Sequence, residues 1–393
     1  MDFSNVKSFM DDLTARFVPG DVISIYHKNY EVYRYAAGYA DRENGVRMTG
    51  NELMHVYSCT KPSTVVAALQ LLEKGKFLLT DPLYAYMPAF KHLTYRDMNG
   101  NIVPATRPIT IWNLFTMTSG INYDDLPDMF KRVSDQTNGR MGTVAVANAI
   151  AGEPLSFDPG THWLYGRSHD VLAALVEVIS GMRYQDYVRK NIFEPLGIKD
   201  AYYHVSDSIK PRMAQQYVRH VEGEDVSDIV KAQASGSTLG GVVKNFGLEN
   251  SHVFGPEYDS GGAGLIISVP DYARFASMLA NGGVGPNGAR ILTRSTIELM
   301  RTNQLSGQLQ YDFNWAHLRG YGYGLGVRTC IDLGKASSIG SLGEFGWCGA
   351  AGAMLMADPA RGISAFYAHH MLNPMEPYYM PRLRNVIYSC FGE

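Results

Sequence analysis

The sequence predicts an α+β fold of the α/β sandwich kind: an antiparallel sheet flanked by helices, with a mainly helical domain inserted. Three observations point there. Runs of β-forming residues lie near both ends of the chain, in VISIYHKNYEVYRYAAGYA and in three segments after about residue 310. Between about residues 80 and 260 the pattern is helical, with long loops between the segments. The length of 393 residues suits two or three folding units, or one large unit with an insertion. The expected division is an α/β domain from residues 1–80 and 265–393 around a mainly helical domain from 81–264. The active site should lie in the cleft between them.

The elements follow in order. A helix is expected from Val6 to Phe17, closed by Pro19-Gly20. A hairpin comes next, breaking at His27-Lys28-Asn29. YSCTKPSTVVAALQLLEKG then reads as a buried helix with Pro62 in its first turn, where a missing N–H costs nothing, and Gly75 as its stop. ITIWNLFTMTSG, VAVANAIAG, SHDVLAALVEVISG and YQDYVRKNIFEPLG are the clearest helices of the middle region. Residues 232–264, rich in Gly, Ser and Asn, read as surface loop; this loop and the one near 120–145 are expected to shape the pocket. Ser268-Val-Pro-Asp271 signals another helix start, running to Asn281-Gly282-Gly283. GYGYGLGVRTCIDLG, EFGWCGAAGAMLMAD and GISAFYAHHML are three strand candidates, and a helix from about Tyr378 to Tyr388 closes the chain.

Composition narrows the function. Hydrophobic residues make up 46 % and charged residues 19 %, enough for a substantial core. The net charge of -3 builds no basic stripe for nucleic acid. Neither a signal-peptide core nor a membrane-spanning apolar stretch is visible, so the expected setting is cytoplasmic, with no membrane partner. Cys59, Cys330, Cys348 and Cys390 are too scattered for a disulfide framework and lack CxxC spacing.

The chemistry begins at Ser58-Cys59-Thr60-Lys61. At the start of a helix, positions three apart share a face, so the Lys61 amine can reach the Ser58 hydroxyl. A serine needs a base to take its proton. A lysine serves only when neutral, and burial or a nearby cation must lower its ordinary pKa of about 10.4. The spacing is common in itself; its place after a hairpin, at the head of a strongly apolar helix, is not.

At these residues the chain resembles the serine β-lactamase and penicillin-binding superfamily, which uses S-x-x-K nucleophiles. More narrowly it is similar to the class C-like branch that holds family VIII carboxylesterases and statin-type acyltransferases. ITIWNLFTMTSG resembles that family's T-x-x-x-L-L-x-H-T-S-G stretch, with Met117 where His is usual. NIFEPLGI, SGGAGLIISVPDYARFASMLANGG and MADPARG resemble further stretches, so the likeness covers most of the chain. It implies a β-lactamase/transpeptidase-like fold.

The resemblance also assigns roles. Tyr165-Gly166-Arg167 stands where the family has Y-x-N, so Tyr165 would relay protons with Lys61. Arg167 departs from the pattern; facing the cleft, it would depress the Lys61 pKa or receive a substrate carboxylate. Trp347-Cys348-Gly349 stands where β-lactamases carry K-T-G and family VIII esterases often carry W-x-G. Trp347 would then offer substrate an apolar face instead of a cation, and Gly349 a close backbone approach. The backbone N–H groups of Ser58 and Ala350 would form the oxyanion hole. His369-His370 lacks any accompanying metal spacing, GYGYGLG is no dinucleotide fingerprint, and there is no GxSxG elbow.

The expected function is a serine hydrolase that cleaves small-molecule carboxylic esters through an acyl-serine, with Ser58, Lys61 and Tyr165 catalytic and no cofactor or metal. An acyltransferase, a β-lactamase or D-amino-acid peptidase activity, and a non-catalytic binding or assembly protein of the same fold are the alternatives.

Overall fold

The hairpin turns where two residues accept a left-handed backbone. Lys28 and Asn29 have φ of 49° and 68°, the geometry a two-residue turn needs, between β1 (Gly20–His27) and β2 (Tyr30–Asp41). The computed structural model describes residues 1–124, 126–220, 242–372 and 375–392. Helix α1 (Ser4–Arg16) precedes the hairpin, and β3 (Val46–Arg47) and β4 (Leu53–His55) follow it. A single 3-10 turn, Tyr57–Cys59, leads into α2 (Thr60–Glu73).

The middle of the chain holds the small hairpin β5 (Thr94–Arg96) and β6 (Ile102–Pro104). Helices α3 (Ile111–Phe115), α4 (Pro127–Gln136), α5 (Thr143–Ile150), α6 (Ser168–Ser180) and α7 (Tyr184–Val188) come next. Strands β7 (Ala201–Tyr202), β8 (Gln216–His220), β9 (Val242–Gly247) and β10 (Ile266–Ser268) lead to α8 (Val269–Ala280). Ser268 caps α8 as expected, its hydroxyl accepting from Asp271 N at 3.3 Å. Helices α9 (Arg294–Arg301) and α10 (Gly307–Asp312) precede the second β-rich region: β11 (Tyr321–Tyr323), β12 (Arg328–Cys330), β13 (Phe345–Gly349), β14 (Ala353–Asp358), β15 (Ile363–Ala368) and β16 (Met371–Leu372). Helix α11 (Glu376–Ser389) is last.

Among the described residues the main sheet has eight strands, in the order β11-β12-β13-β14-β15-β1-β2-β3, and every pairing is antiparallel. Both ends of the chain therefore build one sheet. Side chains alternate across it with period two. Ile23, Ile25, Met354 and Met356 pack under α1 and α11 on one face. Val22, Leu355 and Phe366 join the larger core with α2 and α8 on the other. Helix α2 is buried on every side from Thr60 to Leu71, as a central helix is, and packs on α6. Among the described residues no helix is long and apolar enough to cross a membrane.

Three expectations need correction. GYGYGLGVRTCIDLG and EFGWCGAAGAMLMAD are each two strands, not one; glycines break both, with Gly326 and Gly352 at φ of 73° and 81°. Within YQDYVRKNIFEPLG the helix ends at Val188 and passes into a π-turn over Arg189–Phe193. The surface loop expected at 232–264 lies partly outside the described residues; of the rest, 242–247 is a strand and 258–264 is buried. The glycines and serines of that buried part are small because the segment threads between α2 and α6: a Cβ on Gly261 would sit 2.5 Å from Ala173 Cβ and 3.1 Å from Thr64 Cγ2.

Candidate active site

The turn that presents Ser58 is held from several sides. Tyr57, just before it, has a φ of 44°, a strained conformation for an aromatic residue. Its hydroxyl donates to Gln216 Oε1 at 2.6 Å. Val56 N donates to Leu265 O at 3.1 Å, and Leu265 N donates to Thr60 Oγ1 at 3.0 Å. The end of β13 presses on the same turn: a Cβ on Gly349 would meet Val56 O at 2.1 Å, so only glycine allows the approach. This brings the chain at Gly349-Ala350 beside Ser58.

Lys61, one helical turn on, is fully buried. Its Nζ lies 3.1 Å from Ser58 Oγ, 2.9 Å from the Tyr123 hydroxyl and 2.8 Å from Gly262 O. Burial pulls its pKa down from 10.5 to about 7, with Asp170 opposing the fall. The amine also sits 4.6 Å from the centre of the Tyr165 ring.

Tyr165 precedes α6 by three residues. Burial pushes its phenol well above the ordinary range, and a hydrogen bond with Ser58 works against that rise. Its oxygen accepts from the Trp347 indole Nε1 at 3.0 Å. Ser58, Lys61 and Tyr165 thus meet, as the motifs suggested.

Two residues stand otherwise than expected. Trp347 is 1 % exposed; its indole lies behind Tyr165 and offers no face to a ligand. The partly exposed ring on that side is Trp315, edge-on to Tyr165 with centroids 5.2 Å apart. Arg167 points neither into the cleft nor out to solvent. It is 7 % exposed, and its Nη1 donates to Asn122 O at 3.2 Å and Asp124 O at 2.8 Å, on either side of Tyr123. Its guanidinium also stacks 5.3 Å from the Tyr123 ring centre.

Sequence reasoning did not single out Tyr123, Asp170 or His252. Tyr123 is one of 25 tyrosines and carries no motif. Asp170 looks like an ordinary acidic residue in a helix's first turn. The His252 ring lies 5.7 Å from that of Tyr123, and burial lowers its pKa to about 4. Cys59 is fully buried, and burial pushes its thiol far up, so it is no nucleophile. His369 and His370 are buried too, Nδ1 of the first 3.0 Å from the Tyr367 hydroxyl.

The Beta-lactamase family profile matches residues 5–386. The chain belongs to the Beta-lactamase family. Within it, the chain is 28 % identical over 372 residues to esterase EstB of Burkholderia gladioli, covering 91 % of this chain and 87 % of that one. The fold of this family member is similar to that of EstCE1, described as a hydrolase with promiscuous acyltransferase activity (TM-score 0.77, 23 % identity, 98 % and 97 % of the two chains). It is also similar to unliganded simvastatin synthase LovD from Aspergillus terreus (TM-score 0.75, 21 % identity, 100 % of both chains). The fold is β-lactamase/transpeptidase-like, and the family's serine hydrolase relatives include esterases and acyltransferases.

Proposed function

We propose that the protein is a serine esterase that works through an acyl-Ser58 intermediate. The observation that carries this reading is the environment of Lys61. The Gly262 carbonyl can only accept, so it takes one N–H of the neutral amine. The Tyr123 oxygen takes the other, which leaves the nitrogen lone pair facing Ser58 Oγ at 3.1 Å. With a pKa near 7 the amine is half neutral at physiological pH, whereas the Tyr165 phenol stays protonated. Lys61 is therefore the base for acylation.

Ser58 Oγ attacks the ester carbonyl as its proton moves to Lys61. The backbone N–H groups of Ser58 and Ala350 receive the oxyanion, each such donor being worth about 3 kcal/mol. Tyr165 stands at the leaving oxygen. Because the Trp347 N–H can only donate, the phenol oxygen accepts from it and turns its own proton toward the departing alcohol. The Lys61 ammonium restores that proton, and water then releases the acyl group by the reverse sequence. Arg167 supports the Tyr123 loop and does not bind substrate.

Trp347 stands where related hydrolases place a lysine, so no cation awaits a substrate carboxylate there. Trp315 adds an apolar wall beside Tyr165. A neutral ester with an apolar alcohol or acyl group fits these surroundings. Acyl transfer to an alcohol is the second reading, favoured by the likeness to EstCE1, a hydrolase with promiscuous acyltransferase activity.

The test is a chain-length series of p-nitrophenyl esters, with nitrocefin alongside, on wild type and Ser58→Ala. Ester turnover that exceeds nitrocefin turnover and vanishes in Ser58→Ala is expected. Turnover that survives Ser58→Ala overturns the reading. An added alcohol that diverts acyl groups faster than water does selects transfer.

A further inference from the structure

We propose that Asp170 is a positioning residue for the ester chemistry inferred above: it fixes the Gly262 carbonyl on which Lys61 rests and keeps a negative charge beside that amine. Asp170 lies in the first turn of α6, five residues after Tyr165, and is 5 % exposed. Its Oδ1 accepts from Ser260 Oγ at 2.7 Å and from Gly262 N at 3.1 Å. Holding the nitrogen of Gly262 orients the same residue's carbonyl, 2.8 Å from Lys61 Nζ. Position 262 must be glycine for this: a Cβ there would come 2.5 Å from Asp170 Oδ2. Ser260 Oγ in turn accepts from Ala263 N at 3.0 Å, so the whole 260–263 segment hangs on one carboxylate.

The second half of the proposal rests on which neighbours are charged. Burial raises the phenols of Tyr123, Tyr165 and Tyr258 and the thiols of Cys59 and Cys348. It lowers the imidazoles of His169 and His252 to about 3 and about 4. All of these are neutral at pH 7. Against that neutral background, the Asp170 carboxylate favours the protonated form of Lys61. Asp170 therefore stabilises the ammonium that forms as Ser58 surrenders its proton. The active resting form, with Lys61 neutral, lacks that interaction, so on the plateau above the Lys61 pKa its loss should lower kcat and leave KM nearly unchanged.

The sign of the pH effect follows. Asp170 favours the protonated amine, so removing its charge lowers the Lys61 pKa and moves the acid limb of reactivity down. The experiment measures the rate of fluorophosphonate labelling of Ser58, and kcat/KM for a p-nitrophenyl ester, against pH. Asp170→Asn keeps the shape and the acceptor oxygen. It should remain folded, shift the acid limb down by about one pH unit and lower the plateau roughly tenfold. Ser260→Ala keeps the charge but loosens its anchor, and should lower the plateau without moving the limb. A folded Asp170→Asn with the wild-type limb overturns the proposal, as does a limb that shifts down in Ser260→Ala. Wild type that is neither labelled nor active on esters defeats the esterase reading itself. Labelled wild type with an unmoved limb in the variant defeats only the role of Asp170.

Discussion

Replacing Lys61 with methionine should stabilise the protein at neutral pH, by an amount that shrinks as pH rises. The amine is fully buried and its pKa falls from 10.5 to about 7. At about 1.4 kcal/mol per pH unit, that displacement costs the folded state about 5 kcal/mol. Lys61→Met removes this cost. It also strips a hydrogen-bond partner from Ser58, Tyr123 and Gly262, at about 1 kcal/mol each and independently of pH. The variant should then be about 2 kcal/mol more stable than wild type at pH 7. Between pH 7 and 10.5 the unfolded chain holds the Lys61 proton and the folded chain does not, so wild-type stability gains about 1.4 kcal/mol per pH unit relative to the variant. The advantage should vanish and reverse before pH 10.5; below pH 7, where both states are protonated, it should be flat. Urea unfolding of both proteins at pH 6, 7, 8, 9 and 10 measures the difference. A difference that stays constant from pH 7 to 10 would refute the claim that this amine is held neutral by burial.

Three further outcomes are expected. Trp347→Phe keeps the ring but loses the N–H that Tyr165 accepts, so kcat should fall 10- to 100-fold with KM little changed, as steady-state kinetics will show. Arg167→Ala should lower kcat alike for anionic and neutral acyl esters, because the guanidinium supports the Tyr123 loop; a selective loss on anionic esters would restore it as a substrate-binding cation. Gly349→Ala forces a methyl against Val56 O and displaces the turn carrying Ser58, so ester turnover should drop more than 100-fold while the far-ultraviolet circular dichroism stays that of wild type.

What the sequence revealed was local. The Lys28-Asn29 turn, the cap at Ser268 and the S-x-x-K spacing each depend on residues a few positions apart, and each stands in the structure as read. Beyond the pairing of Tyr165 with Lys61 that the family resemblance implied, long-range placement stayed hidden. Tyr123 reaches Lys61 because Arg167, more than forty residues later, grips the carbonyls around it, and no pattern in the Tyr123 segment encodes that. The sequence puts Trp347 on its strand but not its orientation: the indole is aimed at Tyr165, and only the packed aromatic cluster decides that. The small residues of 258–264 share the composition of a surface loop, yet their smallness serves a tight passage beside Asp170 and α2. Composition could not separate these two uses of glycine and serine.

The central claim is that Ser58 carries the acyl group. Wild type mixed with excess p-nitrophenyl ester, quenched in acid within one turnover and digested, tests it by mass spectrometry of the peptide containing residues 57–61. A mass increase equal to the acyl group, located on Ser58 and missing in Ser58→Ala, is the expected result. An unmodified Ser58 in protein that is turning over ester, or an acyl group on any other residue, would contradict it.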